Sequence, residues 1–212
     1  DIAREAPKRG IEVLVDAAHS FAHIDYKIPD LDCDYWGTSL HKWMTCPIGT
    51  GFLYVRKEKI ESLWPLMAAP EPKSDNIRKF EEIGTHPNCG YLAISDAVMF
   101  YDGIGPERKQ ARMRYLRDRW AMPLLEDKRC RLHARTDAAN SCAVATLAIE
   151  DVDPAKLAAH LYAKYRIFVV AIDHPSVKGI RITPNVYTTL AEVDTFVRAV
   201  QDVLANGLPA ST

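Results

Sequence analysis

The chain has 212 residues, enough for one large domain or two small ones and for a real buried core. Apolar residues make up 48% and charged residues 26%, ordinary values for a globular protein. Lys and Arg number 27 against 28 Asp and Glu, so no global field favours nucleic acid or an anionic membrane as a partner.

The opening segment Asp1–Gly10 (DIAREAPKRG) lacks an initiator Met and reads like the tail of a helix running into a strand. We therefore expect the C-terminal part of a longer protein. Ile11–Val15 is a short apolar, β-branched run closed by Asp16, as in a buried strand of a parallel sheet. Tyr35–Ser39 predicts a second strand, and Phe52–Val55 a third, entered through the turn Ile48-Gly49-Thr50-Gly51. Trp64–Pro72 is a Pro-rich loop. Asn88–Ile104 predicts a helix with Leu92, Ala93, Ala97 and Phe100 on one face. The arginine-rich run Arg108–Arg119 has helical spacing and reads as a solvated helix face.

Beyond it, Ala143–Ile149 predicts a strand, and Asp153-Pro154 starts a helix to Lys164 with Pro at its favoured first position. Ile167–Ile172 and Ile180–Thr183 are further strands. Thr189–Leu204 is a closing amphipathic helix whose Thr189-Leu190-Ala191-Glu192 start has capping-box spacing. Alternating strands and helices predict an α/β or α+β chain with a boundary near Gly105–Arg117. The five cysteines are an odd set with no C-x-x-C pair, which suits a reducing compartment such as the cytoplasm. No apolar stretch approaches a membrane span, and no secretory leader is visible.

Three segments put polar groups at strand ends: Asp16-Ala17-Ala18-His19, Ser39-Leu40-His41-Lys42, and the Gly49-Thr50-Gly51 turn. Ligands of open parallel sheets collect outside the carboxyl ends of the strands. A carboxylate and a lysine converging there suit pyridoxal 5'-phosphate (PLP), whose aldehyde requires an amine and whose ring withdraws electrons best with its nitrogen protonated. A carboxylate about 3 Å from that nitrogen, at an effective dielectric of about 20, contributes roughly 5 kcal/mol. That is about four pKa units, enough to hold a pyridinium at neutral pH. By residue pattern alone, Asp16 is also readable as a cap and Lys42 as a surface lysine.

These segments, with Pro47-Ile48-Gly49-Thr50-Gly51-Phe52-Leu53-Tyr54-Val55, the His-Lys-Trp triplet and Phe80–Pro87 (FEEIGTHP), resemble class V (fold type I) PLP-dependent aminotransferases. The likeness is to the isopenicillin N epimerase-like branch and runs from about Glu12 to Thr188. Leu40 departs from the pattern, since many relatives have a small residue before His-Lys. The resemblance implies an α/β chain: the C-terminal part of the PLP-binding large domain (residues 1–110, mostly parallel sheet), then a small α+β domain (residues 111–212).

It also implies site roles. Asp16 would pair with the pyridine nitrogen, Ala18 pack on the ring face and His19 bond the ring hydroxyl. Ser39 and His41 would contact the phosphate, and Lys42 would hold the cofactor as a Schiff base. Thr85 would reach the phosphate in a neighbouring subunit, making a homodimer with a shared active site. Arg181 would grip the carboxylate of an amino acid substrate, its planar fork suiting that bidentate role. The reaction implied is aminotransfer on an amino acid or amine, with epimerisation as the alternative and a catalytically incomplete fragment as a third. Desulfuration is disfavoured because Asp173–Ile180 (DHPSVKGI) holds no cysteine. A metal hydrolase using Asp16, His19, His23, His41 and Cys46 is the rival from another class, but no H-E-x-x-H or C-x-x-C element supports it.

Overall fold

A computed structural model describes residues 2–138 and 140–209. The chain divides into two compact units, residues 1–106 and 107–212, and each is described by itself. Among the described residues no helix is long and apolar enough to cross a membrane.

The first unit opens with a single helical turn, α1 (Ile2–Glu5), and then forms a sheet in the order β1 (Leu14–Asp16), β2 (Tyr35–Ser39), β3 (Gly51–Val55). β1 and β2 are parallel, with Asp16 opposite Gly37. β2 and β3 are antiparallel, with Ser39 opposite Gly51. The sheet expected to be mostly parallel therefore holds one pair of each kind among the described residues. β1 starts later than the apolar run suggested because the Asp34 carboxylate accepts the Val13 N–H at 2.8 Å, where a ladder partner would sit. Ala17, Cys33 and Trp36 form a small core with Val15, Phe21 and Tyr54 against them.

The helix expected over 88–104 is two, α2 (Cys89–Leu92) and α3 (Ile94–Ile104), meeting at Ala93. Of its proposed apolar face only Ala97 is buried, while Leu92 and Phe100 stay exposed within this unit.

The second unit contains α4 (Pro106–Leu124, whose first residue is the last of the first unit), β4 (Cys130–Leu132), β5 (Ala145–Ile149), α5 (Pro154–Tyr165), β6 (Val170–His174), β7 (Val177–Ile182) and α6 (Leu190–Asn206). Its sheet runs β4-β5-β7-β6, with every pairing antiparallel. Leu116, Trp120 and Leu124 of α4, Leu157 and Leu161 of α5, and Phe196 and Val200 of α6 share one core with Leu147 of β5 and Ile180 of β7.

α5 begins as expected, with Asp153 accepting the Lys156 N–H and Pro154 at the first position. It ends on Arg166 in the left-handed region, and the Ile167 N–H turns back to the Leu161 carbonyl, which delays β6 to Val170. The capping box of α6 is formed: the Thr189 hydroxyl accepts from Glu192 N, and the Glu192 carboxylate accepts from Thr189 N at 2.8 Å.

The arginine-rich run lies on α4, where Arg108 is exposed but Arg117 departs from the expected solvated face. Arg117 is 2% exposed and donates to the Ser141 hydroxyl (2.6 Å) and to the Cys142 and Thr136 carbonyls (both 3.1 Å). Arg114 donates to the Ser141 and Ala138 carbonyls, and Arg119 pairs bidentately with Asp194. Guanidinium groups satisfy carbonyls of the loop between β4 and β5, which charge counting along a helix does not reveal.

Candidate active site

Because β1 and β2 are parallel, their carboxyl ends leave the sheet at one edge, which carries Asp16 and, two positions past its partner Gly37, Ser39. The exit of β1 is fastened there. Ala17 N donates to Gly37 O at 2.8 Å, and the Thr38 hydroxyl donates to Ala17 O at 3.2 Å. Asp16 Oδ1 accepts the Ala18 N–H at 3.0 Å, an Asx turn that orients the carboxylate and leaves its second oxygen for another donor. Ser20 N and Phe21 N then both turn back to Ala17 O, so Ala18 and His19 project from a closed turn.

The exit of β2 is a loop closed on its first residue. Leu40 N donates to Thr50 O (3.0 Å) and Cys46 N to Leu40 O (3.2 Å). Leu40, Trp43, Met44 and Cys46 are buried and anchor it. The larger residue at position 40 is thus taken up in packing. His41 is exposed and Lys42 partly buried. Among the described residues the Lys42 ammonium has no hydrogen bond or ion pair. Its amine is therefore not committed to another group among the described residues.

Gly49 has φ 93°, which a side chain would strain, and a Cβ at Gly51 would lie 2.6 Å from the Thr38 carbonyl oxygen. The turn is therefore restricted to glycine by backbone proximity at the same edge.

His19, His23 and Trp43 form a cluster that sequence reasoning did not assign. The Trp43 indole N–H donates to His19 Nδ1 at 3.3 Å. His23 stacks on Trp43, with centroids 4.0 Å apart and planes 12° apart, and its Nδ1 lies 2.8 Å from the His19 carbonyl oxygen. The signal available in the sequence was Trp43 itself, directly after the lysine. Among the described residues, no group of three or more His, Cys, Asp or Glu side chains is placed to hold a metal ion. His23 and Cys46, candidate ligands in the rival reading, are instead buried.

Thr85 is exposed and follows Gly84, whose φ is 74°. Its neighbour His86 lines a cavity of about 450 Å³ together with Gly49, Thr50, Cys89 and Tyr91. His86, next to Thr85, thus shares one hollow of the first unit with Gly49 and Thr50.

Arg181 belongs to the second unit, on β7, between Thr146 of β5 and Val170 of β6. Its Nε is buried without a hydrogen-bond partner, and among the described residues no carboxylate pairs with it. That argues against a merely structural ion pair. Each buried guanidinium donor left unmatched is costly, so a ligand acceptor is the natural complement.

The family model of the class V aminotransferases matches residues 1–198. The chain belongs to the class V aminotransferase family. The cofactor of this family is PLP, in agreement with the expectation from Asp16 and Lys42. An isopenicillin N epimerase of Streptomyces clavuligerus is 31% identical, over 92% of this chain and 53% of the relative. A second, from Amycolatopsis lactamdurans, is 29% identical over 95% of this chain and 55% of the relative. A cysteine desulfurase from Thermococcus onnurineus NA1 superposes with a TM-score of 0.84 at 23% identity, covering 96% of this chain and 55% of that one. That likeness shows the fold. The chain therefore spans about half the length of the relatives it matches.

Proposed function

We propose that this chain supplies the lysine-bearing half of a PLP enzyme acting on an amino acid or amine, with aminotransfer as its reaction. The observation that carries the reading is Lys42. Its ammonium has no partner among the described residues, on a loop that leaves the same sheet edge as Asp16. When bound, PLP draws electrons from the substrate carbon and acidifies its Cα–H. Lys42 would hold the cofactor covalently and, once displaced by the substrate amine, take the Cα proton.

Asp16 would hold the proton on the pyridine nitrogen, Ala18 would pack against the ring, and His19 would bond its hydroxyl. Ser39 and His41 would hold the phosphate. Thr85 would contribute to the phosphate site of a second copy, giving a homodimer. Arg181 would take the substrate carboxylate, and its orphaned Nε supports that role. Residues 1–110 would then be the C-terminal part of the cofactor-binding large domain and residues 111–212 the small domain. The five cysteines are free, which supports a reducing compartment such as the cytoplasm.

Aminotransfer and epimerisation share the opening removal of the Cα proton, and the class V family model supports aminotransfer as the first reading. Epimerisation is the second reading, favoured by the two epimerases that match over nearly the whole chain. The β6–β7 hairpin, which includes Asp173–Ile180, carries no cysteine, an observation against desulfuration.

The test is incubation of the full-length protein with PLP and a panel of amino acids in deuterated buffer. Deuterium at Cα with release of a keto acid supports aminotransfer, and an inverted amino acid without keto acid supports epimerisation. Absence of exchange with every substrate tried, in protein carrying PLP, would sink both.

A further inference from the structure

We infer that Trp43 and His23 are positioning residues that clamp the His19 imidazole with Nδ1 unprotonated and its proton on Nε2. The inference rests on the reading above, in which His19 faces the cofactor ring. An indole N–H donates and cannot accept, so the 3.3 Å contact from Trp43 Nε1 requires His19 Nδ1 to be the acceptor. A neutral imidazole that accepts at Nδ1 carries its hydrogen at Nε2. The tautomer is set by the partner on the other nitrogen.

The donor is itself held. Trp43 is 4% exposed, and His23, also 4% exposed, lies flat on it at 4.0 Å. His23 Nδ1 meets the His19 backbone carbonyl at 2.8 Å, and a carbonyl only accepts, so that nitrogen carries a hydrogen. The circuit therefore leaves His19 at its carbonyl, passes through the His23 ring and the Trp43 indole, and returns at its own Nδ1. Ala22 lies between, in the left-handed region at φ 56°, a conformation unfavourable for a non-glycine residue. It lets the backbone turn so that His23 comes back beneath the residue it supports.

An Nε2–H donor suits a ring hydroxyl oxygen carrying negative charge, since it donates without adding a full charge of its own. Imidazolium would have to give up the Trp43 contact. Asn or Gln at position 19 would donate as well, but the indole would then have no ring nitrogen to hold.

The test uses full-length protein labelled with ¹⁵N at histidine and tryptophan, first without cofactor at pH 8. The expected result is a through-hydrogen-bond coupling between Trp43 Nε1 and His19 Nδ1, with Nδ1 at the shift of an unprotonated nitrogen. Trp43→Phe keeps an aromatic ring for His23 to stack on and removes only the donor. It should raise the share of the Nδ1-protonated tautomer about fivefold, the equivalent of one net hydrogen bond. A His19 protonated at Nδ1 in the wild type, or a tautomer ratio moved less than twofold by Trp43→Phe, overturns the clamp.

Added PLP then gives a second readout. The visible absorption of the bound cofactor should shift in Trp43→Phe, while borohydride still fixes it on Lys42 in both proteins. An unmoved spectrum alongside a changed tautomer ratio overturns the clamp's role toward the cofactor. Failure of the wild type to carry PLP on Lys42 strikes the underlying reading, and the apo spectra judge the clamp separately.

Discussion

Lys42 and Asp16 are separated by a strand and a long connection, yet parallel pairing of β1 with β2 brings their segments out at one sheet edge. For Lys42 the expected outcome is covalent. Borohydride treatment of the PLP-bound protein should leave a pyridoxyl group on Lys42, found by peptide mapping, and Lys42→Ala should take no label while folding normally, since that ammonium has no bond to lose among the described residues. Label on another lysine would end the assignment. For Asp16 the informative variant is Asn. Its side-chain oxygen can still accept the Ala18 N–H that closes the turn, so the fold of the edge is kept while the charge is removed. PLP should remain bound and turnover fall by roughly three orders of magnitude, the loss of about 4 kcal/mol of the carboxylate's stabilisation of the pyridinium. A rate within tenfold of wild type would reduce Asp16 to a turn residue. Both residues stand out in the sequence because Asp16 closes one β-type run and Lys42 follows another by three positions. The Trp43–His19 bond does not, because its partners are 24 positions apart and lie on segments that follow the paired strands β1 and β2.

At the scale of elements, α4 carries the clearest departure from pattern reading. Its arginines alternate with Met113, Leu116 and Trp120 and look like the wet side of an amphipathic helix, yet Arg117 is buried and holds the loop before β5 through Thr136, Ser141 and Cys142. The Asp118 carboxylate, 2.7 Å away, balances its charge. Arg117→Met fills most of the volume but leaves two loop carbonyls and a hydroxyl without their donor. Denaturant unfolding should show a loss of about 3–5 kcal/mol, as for a buried charged partner removed from its network. A loss below about 1 kcal/mol would mean that water replaces the guanidinium. Elements with local punctuation match the reading closely, among them α5 with Asp153-Pro154, α6 with its capping box, and the strands β2, β3 and β5 with their apolar or aromatic runs. β4, only three residues long, was missed because Cys130–Leu132 becomes a strand by pairing with β5, a contact no short window contains. The Arg117 network was hidden for the same reason, since all its carbonyl partners lie 19 or more positions away.

For the whole molecule, the proposal that Thr85 completes a phosphate site on a second copy ties cofactor affinity to association. A ligand that bridges two chains stabilises only the paired state, and at a concentration 100 times its Kd it adds about 2.7 kcal/mol to that state. Thr85 is exposed, and its neighbour His86 lines a hollow with Gly49 and Thr50, which supports a place for Thr85 near a group outside its own chain. Thr85→Val keeps the shape of the side chain and removes only the hydroxyl. PLP binding to the full-length protein should weaken by about 1–3 kcal/mol, the range for a hydrogen bond to a charged group, which is roughly fivefold to 150-fold in Kd. Stripping PLP from the wild type should move the protein toward monomer, by less if apolar surface also joins the copies, and the Thr85→Val protein should need more PLP to return to dimer. Sedimentation of apo and PLP-loaded protein at matched concentrations reads the first effect, and a PLP titration of both proteins reads the second. Dimerisation that ignores PLP, with unchanged affinity in Thr85→Val, would remove Thr85 from the site. A monomer with full activity would overturn the shared site altogether while leaving the assignments of Lys42 and Asp16 to their own tests.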